Sequence, residues 1–254
     1  MLRNYENYRK AFFKRPPMKN LLFTFTKNYF MPLKAVLFDM DGVIVDTEPL
    51  HHKAYFQMFA DRNLEVNEQM YHSFTGQSTL EVCQQVCAHF QLTINPQELV
   101  LDKRSKFQKL FMKDPELALV DGVQKRIEEY YNNGLSLVLA SSASMQTIDT
   151  IFERFDLNRF FKKKLSGAEL KASKPHPEIF LKAAEAAGEK TKNCLVIEDS
   201  TNGIIAANAA SIVCIGYDSL QSKHQDYSLA DKVIHDFEEI SLDKLNFWFQ
   251  KVYK

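Results

Sequence analysis

The chain has 254 residues, 45% hydrophobic and 25% charged, with 32 basic and 32 acidic side chains. Those proportions exclude a disordered or collagen-like chain. A net charge of zero gives no reason to expect nucleic acid or an anionic membrane as partner, and no apolar run nears the ~20 residues that span a bilayer. Four cysteines, with no CxxC and no Cys/His cluster, read as buried thiols in a reducing cytoplasm.

Residues 1–30 carry seven basic side chains against a single acid, Glu6. Leu21–Thr26 is too short for the apolar region of a signal peptide, and Lys27 interrupts it. This extension is expected to be an appended segment, with the native start at Met31. Lys34–Asp39 follows, a continuous apolar run ending in an acid, which suits a parallel strand covered on both faces.

Residues 49–115 then hold no convincing strand. Leu80, Cys83, Val86, Cys87 and Phe90 have helical spacing, as do Phe107, Leu110 and Phe111. Helices are expected over 49–61, 67–76, 78–90 and 96–112. They read as a small all-helical domain, 49–115, with hinges near Thr47–Pro49 and Asp114–Pro115. Residues 31–48 and 116–254 form the other domain.

Alternation resumes beyond it. Helices are predicted over Gly122–Asn132, Met145–Phe155 and Pro177–Ala187, the last opening on Pro and stopping before Gly188. Strands are predicted at Leu135–Ala140, Cys194–Ile197, Ile212–Ile215 and, more weakly, Lys232–His235. The pattern argues for an α/β fold with a parallel sheet.

Ligands of open α/β sheets bind outside the carboxyl ends of the strands. Asp39 stands there, with Asp41 two residues on. Ser141 and Ser142 follow the second predicted strand, Glu198 and Asp199 follow a later one, and Lys174 lies in a loop before a helix. A lone acid at a strand end is usually a turn or cap residue, and a lone loop lysine is usually solvated. The ordered combination is different. Crowded carboxylates repel, and Mg²⁺, a hard cation bound by carboxylates and phosphate oxygens, removes the conflict. Asp39 could attack phosphorus and Asp41 could carry the proton, while Lys174 and Ser141 bind phosphoryl charge.

These residues also carry a resemblance. Leu37-Phe38-Asp39-Met40-Asp41-Gly42 is similar to the first motif of the haloacid dehalogenase superfamily. Leu139-Ala140-Ser141-Ser142, Ser173-Lys174-Pro175 and Val196-Ile197-Glu198-Asp199-Ser200 follow in the order of the other three. The chain most resembles the β-phosphoglucomutase and sugar-phosphatase branch. The resemblance implies a Rossmann-like parallel sheet with a helical cap inserted after the first strand. It implies Asp39 as nucleophile, forming an aspartyl-phosphate, and Asp41 as general acid/base. Ser141, Ser142 and Lys174 would hold phosphate. Mg²⁺ would be held by Asp39, Asp199, Glu198 and the Asp41 carbonyl.

On the cap, Thr47 and His51 match a hinge threonine and a cap-side histidine. Lys103 matches a cap lysine, although the run around it also reads as solvated helix surface. Thr75 and Thr79 stand where the mutases of this branch carry a lysine and an arginine, and Ser144 stands in place of another lysine. Threonine cannot supply those charges to a second phosphate. Hydrolysis is therefore expected, with a phosphosugar mutase as the alternative. The loop Gly76-Gln77-Ser78 is small and polar, which suits a hydroxyl-rich phosphate ester. The expectation is a cytoplasmic monomer acting on a small molecule.

Overall fold

The computed structural model describes residues 33–74, 77–115, 117–219 and 225–252. The basic extension 1–30, with Thr75 and Gly76, lies outside them. Six parallel strands form one sheet: β1 (Ala35–Phe38), β2 (Ser136–Ser141), β3 (Phe161–Ser166), β4 (Cys194–Glu198), β5 (Val213–Tyr217) and β6 (Lys232–Ile234). Their spatial order is β3-β2-β1-β4-β5-β6. The first strand is thus central, and the direction of building reverses between β1 and β4, the crevice where Rossmann-like sheets bind ligands.

The continuous apolar character of β1 follows from this position. Val36 and Phe38 join a cluster with α5 (Val123–Asn132), α6 (Met145–Arg154) and α9 (Leu242–Val252). Ala35 and Leu37 join the opposite cluster, under α7 (Glu178–Ala187) and α8 (Thr201–Ala209). Deleting a fully buried ring such as Phe38 costs about 3–5 kcal/mol in such a core. The sequence reading does not include β3, α8 or α9. As the last strand of the sheet, β3 exposes Lys162 and Lys163, so its apolar pattern is broken.

Between β1 and α5 the described residues hold helices only: α1 (Glu48–Ala60), α2 (Glu68–His72), α3 (Thr79–His89) and α4 (Pro96–Lys113). Local chemistry sets their starts. Asn67 Oδ1 accepts the Met70 N–H at 2.8 Å, Ser78 and Glu81 form a reciprocal capping box, and Pro96 occupies the first turn of α4 behind Asn95. Met58, Phe59, Val82, Cys83, Val86, Leu99 and Val100 make a third apolar cluster within this cap. Leu50, Ala54, Phe107 and Phe111 pack instead into the sheet's own cluster, seating α1 and α4 on it.

The two connections to the cap run side by side. Val45 pairs with Leu119, and the Val120 N–H donates to Ile44 O at 2.9 Å. Arg154 donates to the carbonyls of Phe111 at 2.8 Å and Asp114 at 2.6 Å, tying down the return path. All four cysteines are free and buried. No helix among the described residues is long and apolar enough to cross a membrane.

Candidate active site

The pairing of β1 with β4 continues one step past β1, where the Asp39 N–H donates to Ile197 O at 3.0 Å. That step sets the Asp39 carboxylate beside the end of β4, which carries Glu198 and Asp199. One carboxylate oxygen from each of the three lies within 4.8 Å of the others, and all three side chains are buried. Lys174 reaches the group from the loop before α7. Its Nζ is 2.5 Å from Asp39 Oδ1 and 2.6 Å from Glu198 Oε1. Burial drives the Asp39 pKa up to about 8; Glu198 and Asp41 add to the rise and Lys174 opposes it. Burial acts to lower the Lys174 pKa, but Asp39 and Glu198 more than reverse this, so the lysine stays charged.

Glycines make room for the acids. Gly42 has φ +81°, and a Cβ there would fall 2.1 Å from Asp199 Oδ2. A Cβ on Gly203 would fall 1.7 Å from Glu198 Oε1. The other Glu198 oxygen accepts the Ser200 N–H at 2.8 Å and the Ser200 hydroxyl at 2.9 Å. Ser200 Oγ in turn accepts the Gly203 N–H at 3.1 Å, which caps α8.

Three buried carboxylates gathered around one ammonium leave negative charge in excess, and all the donors are hard oxygens. This set fits a small divalent cation such as Mg²⁺.

Asp41 turns away from that group. Its Oδ1 accepts from the Thr47 hydroxyl and from His51 Nε2, the latter at 3.3 Å. Lys103 Nζ is 2.6 Å from His51 Nδ1. The ammonium can only donate, so Nδ1 is the acceptor and Nε2 carries the ring proton. Burial raises the Asp41 pKa, but the hydrogen bonds from His51 and the Thr47 hydroxyl, with the charge of Lys103, hold it below the ordinary value. His51 is itself held low by burial and by Lys103, so its ring is neutral. Lys103 is only 3% exposed, with its ammonium 4.7 Å from the Tyr55 ring centre. It is therefore not the solvated surface lysine that its charged run suggests.

A cavity of about 440 Å³ joins these groups. Asp39, Asp41, Ser142, Lys174, Glu198 and Asp199 line its floor, and His51, Gln77, Thr79 and Lys103 line the cap side. Ser141 lies behind this surface, fully buried, with its Oγ accepting the Ala143 N–H at 3.0 Å. Ser78 is occupied in its capping box and lines a separate cleft. Gln77 donates to Ser73 O at 2.8 Å and accepts from Gln85 at 2.5 Å. Gly76 lies outside the described residues.

Sequence reasoning missed His52, Tyr55, Tyr71, His72, Phe74 and Gln225, all of which line the cavity. The aromatic residues look like ordinary core positions in the sequence. Gln225 follows β5 and belongs to no motif.

Comparison with known proteins gives the family and the fold. The sequence matches the haloacid dehalogenase-like hydrolase family over residues 36–217. Hexitol phosphatase B of Escherichia coli (strain K12) is 26% identical over 212 residues, covering 83% of this chain and 96% of the relative. Fructose-1-phosphate phosphatase YqaB of the same strain is 27% identical over 179 residues, covering 70% and 93%. The crystal structure of β-phosphoglucomutase from Clostridium difficile aligns with a TM-score of 0.78 at 20% identity, over 87% of this chain and 99% of that one, a likeness of fold. The family match covers the stretch from Asp39 to Asp199, and the chain belongs to the haloacid dehalogenase-like hydrolases.

Proposed function

We propose that this chain is an Mg²⁺-dependent phosphatase that hydrolyses the phosphate monoester of a small polyhydroxylated molecule, such as a hexose or hexitol, through an aspartyl-phosphate on Asp39. The observation that carries this reading is the convergence of Asp39, Glu198 and Asp199 on Lys174 where the strand order reverses. The names of the two relatives support the substrate class.

In this reading Asp39, Asp199, Glu198 and the Asp41 carbonyl hold the cation, which when bound neutralises charge on the phosphoryl oxygens. Lys174 and Ser142 orient the phosphoryl group. An Asp39 oxygen attacks phosphorus, and the bond from phosphorus to the ester oxygen breaks. Asp41 gives its proton to the departing oxygen, leaving an alcohol. A phosphate dianion beside Asp41 raises its pKa by like-charge repulsion, which favours the protonated form this step needs. Asp41 then takes a proton from a water that attacks the aspartyl-phosphate, freeing inorganic phosphate and restoring Asp39.

The cap wall supports hydrolysis of a monophosphate. Tyr55, Tyr71 and Phe74 give that wall apolar surface suited to the CH groups of a sugar or polyol, and His52, His72 and Gln77 also line it. Lys103 is the sole ammonium among the described residues of that wall, and it is engaged with His51. A second phosphate on the substrate would find little compensating charge there. The Thr47–Asp41–His51–Lys103 contacts favour a second reading, a phosphosugar mutase of the β-phosphoglucomutase kind. In either case residues 49–115 act as a cap domain that closes on the core, 31–48 and 116–254, through hinges near Thr47–Pro49 and Asp114–Pro115, excluding bulk water. The free, buried cysteines support a reducing, cytoplasmic setting.

A phosphate-release assay over a panel of sugar and polyol phosphates, with Mg²⁺ and EDTA arms and phosphorus NMR of products, tests the proposal. Phosphate release lost in EDTA, and reduced below about 1% in Asp39→Asn with its melting curve intact, is the expected result. Conversion of β-glucose 1-phosphate to glucose 6-phosphate without phosphate release overturns it in favour of the mutase.

A further inference from the structure

His52 follows His51 on α1 but serves a different partner. Its Nε2 is 3.1 Å and 3.2 Å from the two carboxylate oxygens of Glu68, in the first turn of α2. A carboxylate only accepts, so Nε2 carries the proton and donates it. Ring contacts fix the plane of the imidazole. It stacks on Phe56, with 4.2 Å between centres and 20° between planes, and meets Tyr71 edge-on at 4.8 Å and 78°. A neutral imidazole held through Nε2 has one polar atom left, Nδ1, and that atom accepts. It has no hydrogen-bond partner among the described residues. The ring lines the cavity from the cap side, with 37% of its side chain exposed.

We propose that His52 is a specificity-determining residue: its Nδ1 accepts a hydrogen bond from a hydroxyl on the part of the substrate that the cap holds, away from the phosphoryl group. The inference rests on the phosphatase reading above and adds what the far end of the substrate must be. The floor carries the groups that take the phosphoryl charge. A cavity of about 440 Å³ falls within the usual ~300–1,000 Å³ of small-molecule sites and leaves room beyond a phosphoryl group. On the cap wall, His52 offers an acceptor backed by the Glu68 carboxylate. That pair repels a second anionic group and selects an uncharged hydroxyl. The substrate class is therefore a monoester with a neutral, hydroxyl-bearing tail, rather than a bisphosphate or a sugar acid.

The test measures phosphate release from sorbitol 6-phosphate and from glycerol 3-phosphate, in wild type and His52→Phe. The two esters carry six and three carbons, so the second offers fewer hydroxyls far from its phosphate. Phenylalanine keeps a ring against Phe56 and Tyr71 and removes the acceptor. Glu68, with 61% of its side chain exposed, is then solvated, so the melting curve should change little. Wild type should favour the six-carbon ester. In the variant the ratio of kcat/KM between the two esters should fall about ten-fold, the loss of one hydrogen bond. A ratio that His52→Phe leaves unchanged overturns the inference, as does a wild type with no preference for the six-carbon ester. If wild type releases phosphate from no ester at all, the phosphatase reading falls and this inference with it, an outcome distinct from an active enzyme whose ratio is kept.

Discussion

Lys174 Nζ stands 2.5 Å from Asp39 Oδ1, inside the protein, although 135 residues separate the two in sequence. The same ammonium serves Glu198 at 2.6 Å. Lys174→Met leaves these carboxylates with no cation, and breaking a buried pair from one side costs about 3–5 kcal/mol. The variant should melt well below wild type without metal and regain more of its melting temperature on adding Mg²⁺. Its phosphatase rate should fall at least about 10²-fold. Thermal melts with and without Mg²⁺ check this, and an equal metal response in both proteins counts against it.

The raised pKa of Asp39, about 8 against an ordinary 3.8, predicts a pH dependence. Between those values the folded state holds a proton that the unfolded chain has released. Metal-free stability should therefore decline as pH rises through that window. Cation binding must displace that proton, so affinity should tighten with rising pH, by up to about ten-fold per unit, and level off above about 8. Mn²⁺ titrations on either side of that value measure it. A flat profile would mean that Asp39 is already ionised at neutral pH.

His51 donates to Asp41 because Lys103 occupies its other ring nitrogen. His51→Ala removes a donor that holds the Asp41 pKa down. The limb of the kcat/KM profile that reports Asp41 should then move to higher pH, and kcat should fall by about 10- to 100-fold. His51→Gln, whose amide can donate to the carboxylate, should recover most of both. A limb that stays put in the alanine variant would remove Asp41 from the proton transfers.

Gly203→Ala sets a methyl group where Glu198 Oε1 now lies. The carboxylate must move, at a cost of about 1–3 kcal/mol, and Lys174 loses one of its two partners. Activity should fall more than ten-fold. Gly134→Ala is the contrast: its φ is +81° with nothing within 4 Å of the added methyl. It should cost about 1 kcal/mol of stability and leave the rate unchanged. Chemical denaturation and initial rates on both variants separate a filled site from simple backbone strain.

The cap helices were legible because their starts are local: Ser78 with Glu81, and Asn95 before Pro96, cap their own chain ends. The predicted helix over 67–76 is shorter, Glu68–His72, and turns at Ser73 and Phe74. Within the site, Asp39, Asp41, Lys174, Glu198 and Asp199 could be named from spacing and chemistry alone. Ser142, rather than Ser141, faces the cavity, because the first serine spends its oxygen on the turn that follows β2. A motif gives residue order, and one residue of difference in a turn reverses which side chain is exposed.

By itself the amino-acid sequence determined the strands buried on both faces, since only unbroken apolar runs such as Ala35–Phe38 survive there. It also determined the helical character of the inserted segment and the chemical identity of the acids and lysine. Tertiary structure alone decided what covers what. Periodicity identifies an apolar or charged helix face but not the element packed on it. Lys103 is therefore buried against His51 and Tyr55, and Tyr71 and His52 line a cavity. For the same reason Tyr227 meets Asp199 only because β5 lies beside β4. That contact joins residues 28 apart in sequence, and a path through the sheet links them where local spacing does not.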